Sequence, residues 1–242
     1  MSKKRILIVG ASSAIGCEII RQIGDENTII LAHYNSGKEK LDAIKTEAKA
    51  TIVTVHADLS AEAGAVSLVN SAMSLYEYPD KIVFLAASYL TLIRFKDLRW
   101  DDFRNHMNMQ LNTAFIILQS FLPKMAAVKY GKIVFMLSNV TLNIPPSAMA
   151  HYVTAKYAML GFMKSLAVEY ADKSICINAV SPSMIETGFL AQIPEKLVEF
   201  SAQQHPRKRN GLPSDVVPVI RFLLSDEAGY LTGVNIPITG GA

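Results

Sequence analysis

The chain has 242 residues, half of them hydrophobic and 19% charged, which allows one large core and excludes wholesale disorder. Lys and Arg number 24 against 21 Asp and Glu, an excess too small for a nucleic-acid surface. The two cysteines, Cys17 and Cys176, sit in apolar runs and read as buried thiols in a reducing compartment, not as a disulfide. The five histidines are scattered without metal-ligand spacing, so no metal is expected. The apolar run 6–9 behind the basic residues 1–5 is too short for a signal-peptide core, and the run 81–93 is too short for a membrane span. A cytoplasmic protein without membrane or nucleic-acid partners is expected.

Strand 5–9 runs straight into Gly10-Ala11-Ser12-Ser13-Ala14-Ile15-Gly16 and a helix over 14–23. Gly10 permits a tight turn and Gly16 a close helix–strand approach, so the N–H groups at the helix start face a pyrophosphate. An ordinary loop capped by Ser12 or Ser13 reads equally well from these residues alone. Strand 28–32 ends in His33-Tyr34-Asn35-Ser36, where a carboxylate would grip the ribose 2′-hydroxyl of NAD. None is present, and the polar residues with Lys38 and Lys40 nearby tolerate the 2′-phosphate of NADP better. A helix over 37–48 and a strand over 51–56 follow, ending in Ala57-Asp58-Leu59-Ser60. Asp58 either accepts an adenine N–H or caps the helix that starts near Ser60.

Helix 62–77, strand 81–86, helix 101–128 and strand 132–137 continue the alternation. Ser138 stands where parallel sheets place ligands, at the carboxyl end of its strand. The helix 152–172 opens with Tyr152-Val153-Thr154-Ala155-Lys156, a spacing of four that puts phenol and ammonium on one face. A bare pair of this kind is also what a packed tyrosine beside a solvated lysine looks like. With Ser138 nearby, the set suits acid–base work on a carbonyl oxygen, the ammonium lowering the phenol's pKa. Strand 174–180, helix 214–224 and strand 234–238 complete the chain. The segment 183–213 breaks the rhythm; with Pro182 it holds four prolines, including Pro194, Pro206 and Pro213, and reads as a substrate loop or lid. Its run Arg207-Lys208-Arg209 reads as a solvated loop. The strands are near-continuous apolar runs, as when helices cover both faces. The chain is therefore expected to be α/β: one doubly wound Rossmann domain over 1–242 with about seven parallel strands.

These motifs, taken in order, resemble the short-chain dehydrogenase/reductase family from end to end, most nearly its 3-oxoacyl-carrier-protein reductase-like group. The resemblance implies an oxidoreductase moving a hydride between NADP(H), with NAD the alternative, and a carbonyl or secondary alcohol. The substrate is expected to be a small ketone or alcohol, free or carrier-bound. It implies Ser138, Tyr152, Lys156 and Gln110 as catalytic residues. It implies cofactor contacts at Gly10, Ser12, Ser13, Ile15, Gly16, Tyr34, Asn35, Ser36, Asp58, Leu59, Ala86, Ala87, Tyr152, Lys156, Ile185 and Thr187. Asn178-Ala-Val-Ser-Pro182, with Ile185 and Thr187, resembles the segment that holds the nicotinamide carboxamide. The chain departs from the family pattern in five places: Ala14 replaces a glycine, Phe84-Leu85-Ala86-Ala87 replaces Asn-Asn-Ala-Gly, Gln110 replaces an asparagine, Asn139 takes the usual serine position, and Ser183 replaces a glycine. Substrate walls are expected from 88–95, 139–149 and 183–200. Second apolar faces on helices 101–128 and 152–172 imply a homo-oligomer, tetramer or dimer. The altered strand-4 motif and Gln110 leave a second reading, a nucleotide-binding sensor or assembly protein of the same fold.

Overall fold

A computed structural model describes residues 3–242; Met1 and Ser2, part of the basic N-terminal stretch, lie outside them. Side-chain alternation sets the layers. In β1 (Lys4–Val9), Leu7 and Val9 point to one face and Ile6 and Ile8 to the other, all of them buried. The same split recurs in β4 (Lys81–Phe84) and β5 (Gly131–Met136), where Ile82, Phe84, Ile133 and Phe135 share the first face, and Val83 and Val134 the second. β2 (Thr28–Tyr34), β3 (Thr51–His56), β6 (Ile175–Pro182) and β7 (Asn235–Ile238) complete a seven-stranded sheet in the order β3-β2-β1-β4-β5-β6-β7. Every pairing is parallel.

Helices cover both faces, as parallel strands require. On the first lie α3 (Glu62–Tyr76), α5 (Thr113–Val128) and α6 (Ala150–Glu169), which bury Leu68, Ile117, Phe121 and Met163. On the second lie α1 (Ala14–Ile23), α2 (Lys38–Lys45) and α8 (Pro213–Leu223), with Ile19, Leu41 and Ile220. α4 (Trp100–Met107) runs into α5 through a π-helical turn, Asn108–Asn112. By length and composition the continuous helix Trp100–Val128 is apolar enough to cross a membrane. Its second half instead packs Ala114, Leu118, Leu122 and Met125 against the sheet.

Several element ends differ from expectation. β4 stops at Phe84, because the Leu85 and Ala86 N–H groups both turn onto the Val9 carbonyl, at 2.8 and 3.0 Å. β6 continues to Pro182, because Ser183 N–H still donates to the Ile238 carbonyl of β7. The segment after β6 contains an additional helix, α7 (Glu195–Gln204). The two cysteines are buried and free.

Candidate active site

Strand order reverses between β1 and β4, and in such a sheet the crevice beyond the strand ends is where a ligand fits. A cleft of about 1550 Å³ lies there. Its first half is built on the turn after β1. Gly10 has φ 91°, and a Cβ on it would meet the Ala86 nitrogen at 2.8 Å. A Cβ on Gly16 would meet the Ala11 carbonyl oxygen at 2.5 Å, so α1 approaches the strand as only glycine allows. Ser13 is the N-cap: its hydroxyl accepts from Gly16 N–H (3.1 Å) and donates to the Gly10 carbonyl (2.9 Å). The N–H groups of Ala14 and Ile15, in the first turn, have no intrahelical acceptor and open on the cleft. A glycine-built turn at a helix N-terminus fits a dinucleotide pyrophosphate.

His33 holds this turn. Its Nδ1 accepts from Gly10 N–H (3.0 Å), so Nε2 carries the proton and donates to the Ala57 carbonyl (2.9 Å). Burial pushes the imidazole down to about 4, so it is neutral at physiological pH. His33 is thus a structural pin and not one of the polar groups free to meet a phosphate. Asn35, Ser36 and Lys40 line the cleft at that end with Ser12. Tyr34 packs on His56 (ring centroids 5.5 Å apart) and is not part of the lining. Leu59 lines the cleft, but Asp58 does not, and it does not cap α3 either. Its carboxylate accepts from Ser60 N–H (2.9 Å), and Ala61 is the N-cap. Ala86 and Ala87 also line the cleft. Where the family pattern has asparagines in strand 4, Phe84 stacks on Phe135 at 4.9 Å.

The second half brings Ser138, Tyr152 and Lys156 together. Ser138 accepts from Val140 N–H (3.4 Å), and Thr141 Oγ1 donates to the Ser138 carbonyl (2.8 Å). Thr141 is held in turn against Ser181, which donates to Asn235 (2.8 Å). This hydroxyl chain ties the serine turn to β6 and β7, and nothing in the local sequence announced it. Lys156 Nζ lies 5.6 Å from the Tyr152 ring centroid and donates to the Met136 carbonyl at 2.8 Å. Burial lowers the Lys156 amine to about 7 and raises the Tyr152 phenol to about 12, the latter opposed by the Ser138 hydroxyl. The expected lowering of the phenol by an ammonium is therefore not what this arrangement gives; desolvation sets the direction, opposed by the Ser138 hydroxyl alone. Ile185 and Thr187 line the cleft, with Ile185 bridged to Gly211. From the segment after β6, Phe189 reaches within 6.1 Å of Tyr152, ring to ring, and Leu190, Ile193, Leu197 and Phe200 add to the wall.

Gln110 is not on the cleft surface. It sits in the π turn, almost fully buried, with neither its oxygen nor its nitrogen bonded within the protein. The histidines are less scattered than the sequence suggests: His106 of α4 and His151 of α6 meet at 4.6 Å between ring centroids beside Tyr152.

Over residues 10–242 the chain matches the family model described as enoyl-(acyl carrier protein) reductase. It is 30% identical to the 3-oxoacyl-acyl-carrier-protein reductase FabG of Staphylococcus aureus, covering 98% of this chain and 97% of that protein. It is 31% identical to FabG of Rickettsia felis, covering 100% and 97%. The crystal structure of levodione reductase superposes with a TM-score of 0.88 at 25% identity, over 100% of this chain and 98% of that one.

Proposed function

Because the chain belongs to the short-chain dehydrogenase/reductase family and is an oxidoreductase of carbonyl and alcohol groups, we propose that it works as an NADPH-dependent reductase of 3-oxoacyl-type ketones. One observation carries this reading: a phenol held protonated at neutral pH, beside a serine hydroxyl, at the apolar end of a nucleotide-sized cleft. A protonated phenol is ready to give its proton to the oxygen of a ketone as that oxygen gains charge. Ser138 donates a second hydrogen bond to the same oxygen and stabilises it. Lys156, in reach of the phenol, restores its proton and holds the cofactor ribose. A nicotinamide bound in the cleft supplies the hydride.

Residues of the first half suit that cofactor. The Gly10–Gly16 turn takes the pyrophosphate, Leu59, Ala86 and Ala87 flank the adenosine, and Ile185 and Thr187 meet the nicotinamide end. NADP is favoured over NAD because β2 is followed by Asn35 and Ser36 without a carboxylate, and Ser12 and Lys40 face the same corner. The substrate end is lined by Tyr89, Leu90, Val140, Met149, Phe189 and Leu190, which fits an acyl chain, free or carrier-bound. Exposed Phe115, Val128, Tyr157 and Val168 on α5 and α6 suit a second copy, giving a cytoplasmic dimer or tetramer. The sensor reading loses its motive at strand 4, where aromatic stacking replaces the missing asparagines.

The test is oxidation of NADPH and of NADH with a panel of 3-oxoacyl thioesters and cyclic ketones. NADPH turnover is expected, falling by about 100-fold or more in Tyr152→Phe with cofactor affinity unchanged. Full ketone reduction by that variant would remove the phenol from the chemistry. Cofactor binding without turnover on any ketone would restore the sensor.

A further inference from the structure

Behind the catalytic pair lies a pocket of polar side chains that the reading above does not use. His106, Gln110 and His151 are 4%, 3% and 0% exposed. His106 Nδ1, His151 Nδ1 and both side-chain polar atoms of Gln110 have no hydrogen-bond partner within the protein. Such atoms are expensive to bury without a role, and buried water is their natural partner. His106 and Gln110 stand four residues apart across the π turn, a distortion that often marks functional helices. His106 packs edge-on against His151 and lies 6.2 Å from the Tyr152 ring. His151 Nε2 is 3.3 Å from Thr91 Oγ1, and Thr91 is half-buried at the protein surface.

The charges around the pair are ordered. Lys156 faces His106 from the inner side. Asp102, at the outer end of α4, faces His151 and is held by Arg99 at 3.2 Å. Tyr152 is the remaining titratable neighbour. The groups thus form a line: Asp102 and Thr91 at the surface, then His151, His106, and Lys156 beside the phenol.

We propose that His151 and His106 are the proton supply that refills Tyr152 from solvent during ketone reduction. The inference rests on the reductase reading. In each turnover the Tyr152 O–H bond breaks and an O–H bond forms on the product alcohol. The phenolate takes a proton from Lys156, and Lys156 takes one from the imidazole line. A neutral imidazole accepts at one nitrogen and releases from the other, so the line passes protons without a stable imidazolium. His106 and His151 touch neither substrate nor cofactor. They are positioning and supply residues acting through Lys156.

The test compares wild type with His106→Phe, His151→Phe and Asp102→Asn under saturating NADPH and ketone. The two phenylalanine variants are expected to lose about tenfold in kcat with KM little changed. Their solvent deuterium isotope effect on kcat is expected to rise, because proton delivery becomes limiting. Loss of packing alone would not move that effect. Asp102→Asn, at the surface, keeps the core intact if either phenylalanine variant fails to fold. Removing the carboxylate that faces His151, and so favours a proton arriving there, is expected to lower kcat severalfold and to raise the same isotope effect. Unchanged kcat and isotope effect in Asp102→Asn, or in folded His106→Phe and His151→Phe, would overturn the proposal. Wild type without turnover on any ketone would instead overturn the reductase reading beneath it.

Discussion

Lys156 shows what the site costs the fold. Its amine ionises at about 7 instead of 10.5 because α6 and β5 bury it, with the Met136 carbonyl as its one protein acceptor. In the unfolded chain it is charged at pH 7, so holding it folded costs about 4 kcal/mol there. Lys156→Met fills the same space with an apolar chain and leaves the Met136 carbonyl without a donor, a loss of about 1–2 kcal/mol. The variant is therefore expected to be more stable by about 2 kcal/mol, read as a higher urea midpoint with unchanged slope, while turnover disappears. A midpoint equal to or below wild type would mean that the amine is not desolvated in the folded protein. Ser138, Tyr152 and Lys156 were legible as a set from their spacing and strand-end position. Their protonation was not, because burial is a property of the assembled α6 and not of the five-residue motif. Where Asp58 and Tyr34 point was not legible for a related reason: a residue at a strand end can turn into the cleft or away from it, and its sequence neighbours do not decide which.

Strands β1, β4, β5 and β6 could be read from the chain because each is largely buried on both faces and so carries a run of apolar residues. α7 could not: Glu195-Lys-Leu-Val-Glu-Phe lies inside a proline-punctuated segment, and no residue of the helix is fully buried. The π turn also has no sequence signal, since one extra residue per turn changes the register without changing the composition. The Gly16 contact was anticipated and can be measured. A methyl group there meets backbone atoms of Ala11, not a flexible side chain, so the start of α1 must move away from β1. Gly16→Ala is expected to raise the NADPH Kd about tenfold and to cost about 1–3 kcal/mol of stability, checked by fluorescence titration and urea unfolding. Wild-type affinity in a folded Gly16→Ala protein would show that the pyrophosphate does not sit on this turn.

Across the whole molecule, three buried histidines on separate elements set one shared pH response. His33 on β2, His106 on α4 and His151 on α6 were unremarkable in sequence because what unites them is contact between elements, which spacing does not encode. Burial holds His33 and His106 down at about 4 and lowers His151 as well. In the unfolded chain each titrates near 6.5. Between pH 6.5 and 4 the unfolded chain therefore binds more protons than the folded protein, and stability falls as pH drops through that window. Below about 4 the folded histidines protonate too and the loss levels off. The His33 term alone reaches about 3 kcal/mol, and its protonation also removes the acceptor for Gly10 N–H, so the cofactor turn loosens with it. The urea midpoint is expected to drop markedly between pH 7 and pH 5. In His33→Gln, which keeps an amide acceptor but cannot titrate, the drop is expected to be smaller. Equal midpoints at the two pH values in wild type, or an equal drop in His33→Gln, would show that the imidazole pinning Gly10 to β3 is not the buried neutral base described here.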